Sequence, residues 1–302
     1  MFKKFTDMLE KLRNFPPLRI SVVQAADAVV LEAIKDACNE GIIEPILVGE
    51  KEKIQREALR AGFSFENVEI VDCSAEETPF TGVRLVRENK ADVLMKGVID
   101  TAVFMKAVLN PDFGLRTGEL LSHLAAFEVP NFDRIIFVTD GGVNIAPNLE
   151  EKISILKNAI RALRAIGYSE PKVAVLSAVE AVSFKMQSSV DAAIIAKMAE
   201  RNQIKGALID GPLALDNAVS EEAALHKGIK SPVAGKADLI LVPNIETGNA
   251  LGKSMTFLAG GLMAGIVVGA KAPIVLPSRA DSPLSKLMSI VLACLIKRGE
   301  DF

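Results

Sequence analysis

The segment Ile274-Val275-Leu276-Pro277-Ser278-Arg279-Ala280-Asp281 places a polar turn directly after a short apolar run. The run is typical of a buried strand, and a helical pattern follows the turn. A turn between a strand end and a helix start exposes backbone N–H groups that can bind an anion. Ser278 and Arg279 add a hydroxyl and a fixed cation, which suit a phosphate or a developing oxyanion. Thr247-Gly248-Asn249 repeats the arrangement, so both segments predict an α/β fold with ligand sites at strand ends.

Short apolar runs and helical patterns alternate along the chain, which is typical of a doubly wound α/β protein. Half of the 302 residues are hydrophobic, whereas aromatic residues make up only 5% and Trp is absent. A core of Val, Ile, Leu and Ala is the usual filling of a parallel sheet that is covered on both faces. The predicted strands are Ile20–Gln24, Pro45–Val48, Val68–Val71, Val93–Lys96, Arg134–Thr139, Lys172–Leu176, Ala207–Ile209, Leu239–Val242 and Ile274–Leu276.

The clearest predicted helix is Leu149–Ile166, in which apolar residues recur at spacings of three and four. Asn148 followed by Glu151 forms a capping-box pattern at its start, and Gly167 is a natural stop. Thr78-Pro79 marks another helix start.

The domain organisation is predicted from a change of character in the middle of the chain. Leu120–Val129 is a longer apolar run that suggests a strand shared between two halves. The apolar stripe of Lys286–Lys297 needs a sheet to cover it, which predicts that the last strand and helix return to the first domain. The expected domains are therefore 1–123 with 265–302, and 124–264.

Composition excludes several classes of protein. A net charge of −3 with interspersed signs argues against nucleic-acid binding, although a local pocket for an anion remains open. The three cysteines are far apart and form no CxxC pair, and the first residues lack a secretory pattern, so a reduced cytoplasmic protein is expected. Met255–Ala270 is shorter than the ~20 residues of a membrane span and predicts a helix end, a turn and a core strand.

Lys96-Gly97 closes a predicted strand, and Asp100-Thr101 opens the next helix. A lysine at a strand end beside free N–H groups is a candidate phosphate ligand. The alternative is a solvated lysine before a turn. Arg116 lies between Gly114 and Gly118, where it is either a clamp for phosphate or a loop residue in solvent.

Asp140-Gly141-Gly142-Val143-Asn144 follows another apolar strand. Asp140 is a candidate base or orienting acceptor, and Asn144 is a candidate donor to a carbonyl. The alternative is a turn with glycines in the left-handed conformation, and Asp210-Gly211-Pro212 has the same form and the same ambiguity.

The two histidines form no pattern of metal ligands. His123 lies in an apolar run and is expected to be a hydrogen-bonded core or interface residue. His226 lies near Lys227 on a predicted helix and is expected to be exposed.

Three of these segments resemble the phosphate acetyl/butyryltransferase family in their order and spacing: Asp140–Asn144, Pro243–Asn249 and Pro277–Ser282. Lys96-Gly97 and Asp100-Thr101-Ala102 also match the family's pattern. The similarity extends from about Ala91 to Lys297, and its Ser-Arg-Ala-Asp-Ser form is most like the phosphate butyryltransferase branch.

The resemblance implies two α/β domains related to isocitrate and isopropylmalate dehydrogenases, with the active site in a cleft between them. It implies reversible transfer of a short, butyryl-like acyl group between CoA and inorganic phosphate. The displacement is direct in a ternary complex and needs no metal. Acyl-CoA and phosphate are then the partners, and CoA is a substrate and not a tightly bound cofactor. A homodimer or a higher homo-oligomer is expected.

The resemblance also assigns roles to residues. Ser278 and Arg279 take the place of the family's reacting pair, and Thr247, Gly248 and Asn249 match its cleft turn. The acetyl-specific branch carries a carboxylate, proposed as the base for the CoA thiol, at the position of Ser285. Asp281 lies closer to the pair and is the candidate base in this chain. Lys96, Asp100, Thr101, Arg116, Asp140 and Asn144 are the further candidates for substrate binding.

Two other functions fit a similar scaffold. An NAD(P)- and metal-dependent 2-hydroxy acid dehydrogenase should show clustered aspartates, and the sequence offers no convincing set. A non-catalytic regulator that binds CoA is disfavoured because the Ser278-Arg279 pair is intact.

Overall fold

The computed structural model describes residues 1–64 and 68–300, with the side chain of residue 300 excepted. The chain forms two compact units. The terminal unit consists of Phe5–Glu119 and the chain from Ala264 onward, and the central unit consists of Met1–Lys4 and Leu120–Met263. The chain thus passes from one unit to the other after Lys4, after Glu119 and after Met263. The domain bounds expected from the sequence, 1–123 with 265–302 and 124–264, stay a prediction.

The terminal unit alternates strands with helices, which we number along the whole chain. Its helices are α1 (Phe5–Leu12), α2 (Ala28–Asn39), α3 (Lys51–Ala61), α4 (Thr78–Arg87), α5 (Thr101–Val108) and α11 (Pro283–Glu300). Its strands are β1 (Leu18–Val23), β2 (Ile43–Gly49), β3 (Glu69–Asp72), β4 (Val93–Lys96), β11 (Ile274–Val275) and the part of β10 (Leu262–Val268) from Ala264 onward.

The strands of the terminal unit follow the order β3-β2-β1-β4-β11-β10. All neighbouring pairs are parallel except β10 with β11. Every residue of β4 is buried, as expected for a parallel strand that is covered on both faces. The chain moves outward from β1 to β3 and then returns to β4 on the other side of β1. This reversal is the topological switch point at which open α/β sheets bind ligands.

The central unit has the same alternating character. Its strands are β5 (Ser122–Glu128), β6 (Ile136–Thr139), β7 (Lys172–Leu176), β8 (Leu208–Leu213) and β9 (Leu239–Leu241). Its helices are α6 (Leu149–Ala165), α7 (Gln187–Glu200), α8 (Leu215–Val219), α9 (Glu221–His226) and α10 (Ile245–Lys253), which is followed by a π-helical turn at Ser254–Leu258. The strand order is β5-β6-β9-β7-β8, in which only β5 and β6 pair antiparallel.

Local sequence signals explain several element boundaries. The Asn148 side chain accepts from the Glu151 N–H at 3.0 Å, and the Glu151 carboxylate accepts from the Asn148 N–H at 2.8 Å. This capping box starts α6 as predicted. Pro79 lies in the first turn of α4, also as predicted. The apolar stretch 255–270 contains a helix end, a turn and β10, and no described helix is long and apolar enough to cross a bilayer.

One predicted turn is wrong. Asp210-Gly211-Pro212 lies within β8, whereas the sequence predicted a strand that ends at Ile209. The register between β7 and β8 shifts between Ala174 and Leu176. Because β8 ends the strand order of the central unit, a proline can lie in it without removing a hydrogen bond from an interior ladder.

Candidate active site

A cavity of about 220 Å³ opens at the carboxyl ends of β1, β4 and β11 in the terminal unit. Its position is the switch point between β1 and β4, where a ligand crevice is expected. Three of its residues are cations, so we call it the cationic pocket. Its lining residues are Asp27, Val29, Val30, Lys96, Gly97, Val98, Pro277, Ser278, Arg279 and Lys286.

Lys96 is the last residue of β4 and is only 4% exposed. Its Nζ makes one weak hydrogen bond, to the carbonyl oxygen of Gly97 at 3.4 Å. Burial lowers the pKa of Lys96 because it disfavours the ammonium form. The nearby charges of Arg279 and Lys286 lower it further, and Asp100 opposes them. The predicted phosphate ligand is therefore a buried cation at the pocket wall and not a solvated lysine.

The end of β4 is fixed to the end of β1. The Gly97 N–H donates to the Val23 carbonyl at 2.8 Å, and the Val98 N–H donates to the Gln24 carbonyl at 3.0 Å. These two bonds continue the parallel ladder past the last residue of β4 and hold Lys96 at the pocket.

Ser278, Arg279 and Asp281 form a tight turn after β11. The Ser278 N–H donates to Asp281 Oδ2 at 2.7 Å, and the Asp281 N–H donates back to the Ser278 carbonyl at 3.3 Å. The Ser278 hydroxyl accepts from the Ala280 N–H at 3.3 Å. Ser278 and Arg279 are exposed and line the cationic pocket, while Asp281 shapes their turn.

Lys286 completes the pocket, and sequence reasoning missed it. It lies near the start of α11, is 3% exposed, and donates from Nζ to the carbonyl oxygens of Ser278 at 3.3 Å and Asp281 at 2.5 Å. Burial lowers its pKa, while Asp281 and Asp27 raise it. A signal was present, because Lys286 is the single charged residue between Pro283 and Ile296.

Asp100, Thr101 and Arg116 also belong to the terminal unit. Asp100 caps α5 by accepting from the N–H groups of Ala102 and Val103 at 2.8 and 3.2 Å, and Thr101 is exposed beside it. Asp100 is near enough to affect the charge of Lys96. Arg116 is exposed in its loop and does not line the cationic pocket.

Asp140 organises a turn in the central unit. Its side chain is buried and accepts from the N–H groups of Gly142 at 2.8 Å, Val143 at 2.9 Å and His123 at 2.9 Å. It also accepts from Asn144 Nδ2 at 2.6 Å. Of the two roles considered for Asp140, these bonds favour the orienting acceptor over the base, because donors already occupy both of its carboxylate oxygens.

The second turn of the central unit packs against the first. Asn244 Oδ1 caps α10 by accepting from the Thr247 N–H at 3.0 Å and its hydroxyl at 2.6 Å. A Cβ on Gly248 would lie 2.7 Å from the Gly141 Cα, so a glycine is needed at this approach. Asn249 is exposed on the same helix, and the Asn144 amide donates to the Leu121 carbonyl at 2.9 Å. The structure therefore brings these candidates of the central unit together as one group, and none of them is a lining residue of the cationic pocket.

The described residues hold no cluster of metal-ligand type. Within residues 1–64 and 68–300, no group of three or more His, Cys, Asp or Glu side chains is placed to hold a metal ion. His226 is exposed at the end of α9, as predicted.

Comparisons with known proteins give a consistent result. A family model described as phosphate acetyl/butaryl transferase matches residues 75–294. The phosphate butyryltransferase of Clostridium acetobutylicum is 47% identical over 297 residues, which cover 98% of this chain and 99% of that protein. The phosphate acetyltransferase of Thermotoga maritima is 42% identical over 291 residues, which cover 96% and 99%.

Solved structures show the same relationship. A branched-chain phosphotransacylase from Enterococcus faecalis superimposes with a TM-score of 0.83 and 33% identity, covering 93% of this chain and 99% of that one. A 4-hydroxythreonine-4-phosphate dehydrogenase from Klebsiella pneumoniae has a TM-score of 0.60 and 14% identity, covering 94% and 100%, which is a likeness of fold alone.

Proposed function

Because the chain belongs to the phosphate acetyl/butyryltransferase family, we propose that its cationic pocket binds inorganic phosphate during reversible acyl transfer to and from CoA. One observation carries this proposal. Lys96 and Lys286 are buried at the same pocket, and among the described residues neither forms a salt bridge with a carboxylate. Burying a charge is costly, and the pocket lining holds three cations but a single carboxylate, Asp27, so the pocket favours an anionic ligand.

The pocket suits the charges of the reaction. A phosphate oxygen attacks the thioester carbonyl, the new C–O bond forms as the C–S bond breaks, and the proton of hydrogen phosphate ends on the CoA thiol. Holding both substrates in line makes a covalent enzyme intermediate unnecessary. Arg279 and the two lysines would stabilise the phosphate and the tetrahedral oxyanion, and the Ser278 hydroxyl would donate to the thioester or the departing sulfur.

In the reverse direction the CoA thiol must lose its proton. A positive field lowers a thiol pKa, and the three cations of the pocket supply one. Asp281 is the proposed acceptor of that proton. Its Oδ2 accepts from the Ser278 N–H, and its Oδ1 accepts no hydrogen bond from the described residues. Ser285, at the position where the acetyl-specific branch has a carboxylate, offers only a hydroxyl.

The apolar part of the pocket favours a short hydrocarbon chain on the acyl group. Val29 and Val98 are each 38% exposed, and Val30 and Pro277 complete this lining. Apolar surface of this kind would be covered by the methylene groups of a butyryl chain, at about 0.8 kcal/mol for each. Relatives that are named phosphate butyryltransferase support the same preference.

We propose the same of CoA, of the assembly and of the other candidate residues. CoA acts as a substrate and not as a held cofactor, and the protein forms a homodimer or a higher homo-oligomer in the cytoplasm. Thr101, Arg116, Asn144, Thr247, Gly248 and Asn249 contribute to substrate binding. The fold is related to isocitrate and isopropylmalate dehydrogenases, a relationship that the likeness to another dehydrogenase supports at the level of fold.

A thiol-release assay tests this function. The purified protein is given acetyl-, propionyl-, butyryl- and branched acyl-CoA, and free CoA thiol is followed with and without inorganic phosphate. We expect release to require phosphate and to be faster with butyryl- than with acetyl-CoA. The absence of phosphate-dependent release with every acyl group would overturn the function, and faster release from acetyl-CoA would overturn the chain preference alone.

A further inference from the structure

We propose that Lys286 is a positioning residue of this reaction, which fixes the turn that carries Ser278 and Arg279 and places an ammonium group against the bound phosphate. The proposal rests on the proposed function, because it concerns the same pocket. It starts from an unusual feature of α11. Lys286 is buried in a helix whose next ten residues are uncharged, at a place where an apolar side chain would be expected.

The first part of the argument concerns the turn. Lys286 Nζ contacts the carbonyl oxygens of Ser278 and Asp281, which are the two ends of the turn that contains Arg279. A single ammonium group therefore ties both ends of this turn to α11. The turn is otherwise closed by the short-range bonds between Ser278, Ala280 and Asp281. Loss of the ammonium would leave the Asp281 carbonyl without its donor and the Ser278 carbonyl with only the 3.3 Å bond from the Asp281 N–H, so the direction of Arg279 would be less fixed.

The second part concerns the remaining hydrogen of the ammonium. A lysine ammonium has three N–H donors, and two of them serve the carbonyls of Ser278 and Asp281. Among the described residues the structure gives Lys286 no third hydrogen-bond partner, and Lys286 lines the cationic pocket. The third donor is thus available to a phosphate oxygen.

The charges around Lys286 support this arrangement. Asp27 and Asp281 are the two carboxylates that favour its charged form, and Lys96 and Arg279 are the other cations of the pocket. Burial opposes the charged form and is the larger influence on the pKa of Lys286. A phosphate dianion in the pocket would offset that cost, so phosphate and the charge of Lys286 stabilise each other.

The test separates positioning from a purely structural role. Lys286→Met keeps the length and the apolar stem but removes the donors, and Lys106→Met removes an exposed lysine of α5 as a matched control. The KM for phosphate, the KM for butyryl-CoA and the increase of Tm caused by inorganic phosphate are measured for each. We expect Lys286→Met to raise the phosphate KM by about 10- to 100-fold, because the variant loses one charge-assisted hydrogen bond to phosphate. The KM for butyryl-CoA should change less than about twofold, and the effect of phosphate on Tm should be lost.

Several outcomes would decide against the proposal. An unchanged phosphate KM in Lys286→Met, with active wild-type protein, overturns the role of Lys286 and leaves the proposed function intact. An equal rise of both KM values, or a fall in kcat alone together with a lower Tm, indicates a structural role and also overturns it. If wild-type protein releases no thiol in a phosphate-dependent way, the proposed function fails instead. Should Lys286→Met not fold, the shorter polar variant Lys286→Gln is measured in the same way with the same expectations.

Discussion

Gly97 approaches Gln24 so closely that a Cβ at position 97 would lie 2.3 Å from the Gln24 carbonyl oxygen. The same Cβ would lie 2.5 Å from the carbonyl oxygen of Val23. Both neighbours are backbone atoms, which cannot rotate away as a side chain can. The approach joins the ends of β1 and β4 beneath the cationic pocket and holds Lys96 at its wall.

Gly97→Ala should therefore damage both stability and phosphate binding. Forcing the two strand ends apart should lower the free energy of unfolding by about 1–3 kcal/mol. It should also raise the phosphate KM, because Lys96 moves with Gly97. Thermal unfolding and phosphate titration in the thiol-release assay measure the two effects. A variant with wild-type Tm and phosphate KM would show that the approach is not required.

Arg279 should supply a large part of the rate. Arg279→Gln removes the charge at the pocket and should lower kcat/KM for phosphate by about 10²- to 10³-fold, the usual loss for one donor to a developing oxyanion. Arg56→Gln, which changes an exposed arginine of α3, is the control and should leave kcat/KM unchanged. If Arg279→Gln lowers kcat/KM for phosphate by less than about 10-fold, the reaction takes place elsewhere.

The apolar lining should set the preference for acyl length. Val29→Ala and Val98→Ala each remove methyl groups that would cover the butyryl chain. The ratio of kcat/KM for butyryl-CoA to that for acetyl-CoA should fall by about 3- to 10-fold in each variant. Val103→Ala, at an exposed valine of α5 outside the pocket lining, should keep the wild-type ratio. Equal ratios in all three variants would remove the two valines from the acyl site.

The pocket should lose its affinity for phosphate as the pH rises. Burial lowers the pKa of Lys96 and Lys286 below the ordinary lysine value of about 10.4. Between each lowered pKa and that value the unfolded chain binds more protons than the folded protein. Without phosphate, these lysines therefore make the free energy of unfolding rise with pH in that window, and below it they give no pH dependence.

Bound phosphate needs the charged lysines, so its stabilising effect should shrink over the same window. Arg279 and Lys286 lower the pKa of Lys96 further, and Asp100 raises it. Asp281 and Asp27 raise the pKa of Lys286. These charges set the pH at which the window begins. Tm is measured from about pH 8 to 10.4 with and without phosphate. A phosphate increment that stays constant over this range, or that is the same in the Lys96→Met protein, would contradict the assignment.

A buried ion pair in the central unit offers a test of the structure away from the pocket. Lys152 Nζ lies 2.7 Å from Asp191 Oδ2, and the two side chains are 8% and 5% exposed. Lys152→Met leaves Asp191 buried without its cation and should lower the free energy of unfolding by about 3–5 kcal/mol. Lys197→Met breaks the exposed pair with Glu200 and should cost at most about 1 kcal/mol. Denaturant unfolding compares them, and equal losses would argue against the burial of the Lys152 pair.

The sequence predicted the strand ends better than the pocket that they form. The turn at Ser278 and the strand end at Lys96 were found because strand-to-helix turns carry local signals. Lys286 was missed, because an amphipathic pattern does not say that a lysine at the start of a helix faces inward. Asp27 was missed for a different reason. Its place in the same pocket as Arg279 depends on the strand order, which brings together segments that are far apart in the chain.

Two local signals have a second physical explanation in the structure. The flanking glycines of Arg116 suggested a clamp, which stays a prediction, and Gly114 is also needed for its own loop, where a Cβ would lie 2.3 Å from the Asn110 carbonyl oxygen. Asp210-Gly211-Pro212 looked like a turn, yet an edge strand with a register shift accommodates it in β8. In both cases a glycine or a proline indicates that the backbone is restricted at that position, but the sequence does not show whether a ligand, a loop or a strand causes the restriction.

The position of phosphate in crystals of the wild-type protein grown with inorganic phosphate tests the central claim most directly. We predict density for a phosphate in the cationic pocket, with its oxygens within about 3.2 Å of Lys96 Nζ, Lys286 Nζ and the Arg279 guanidinium. Phosphate bound at another site of active protein, with none between these three cations, would contradict the account.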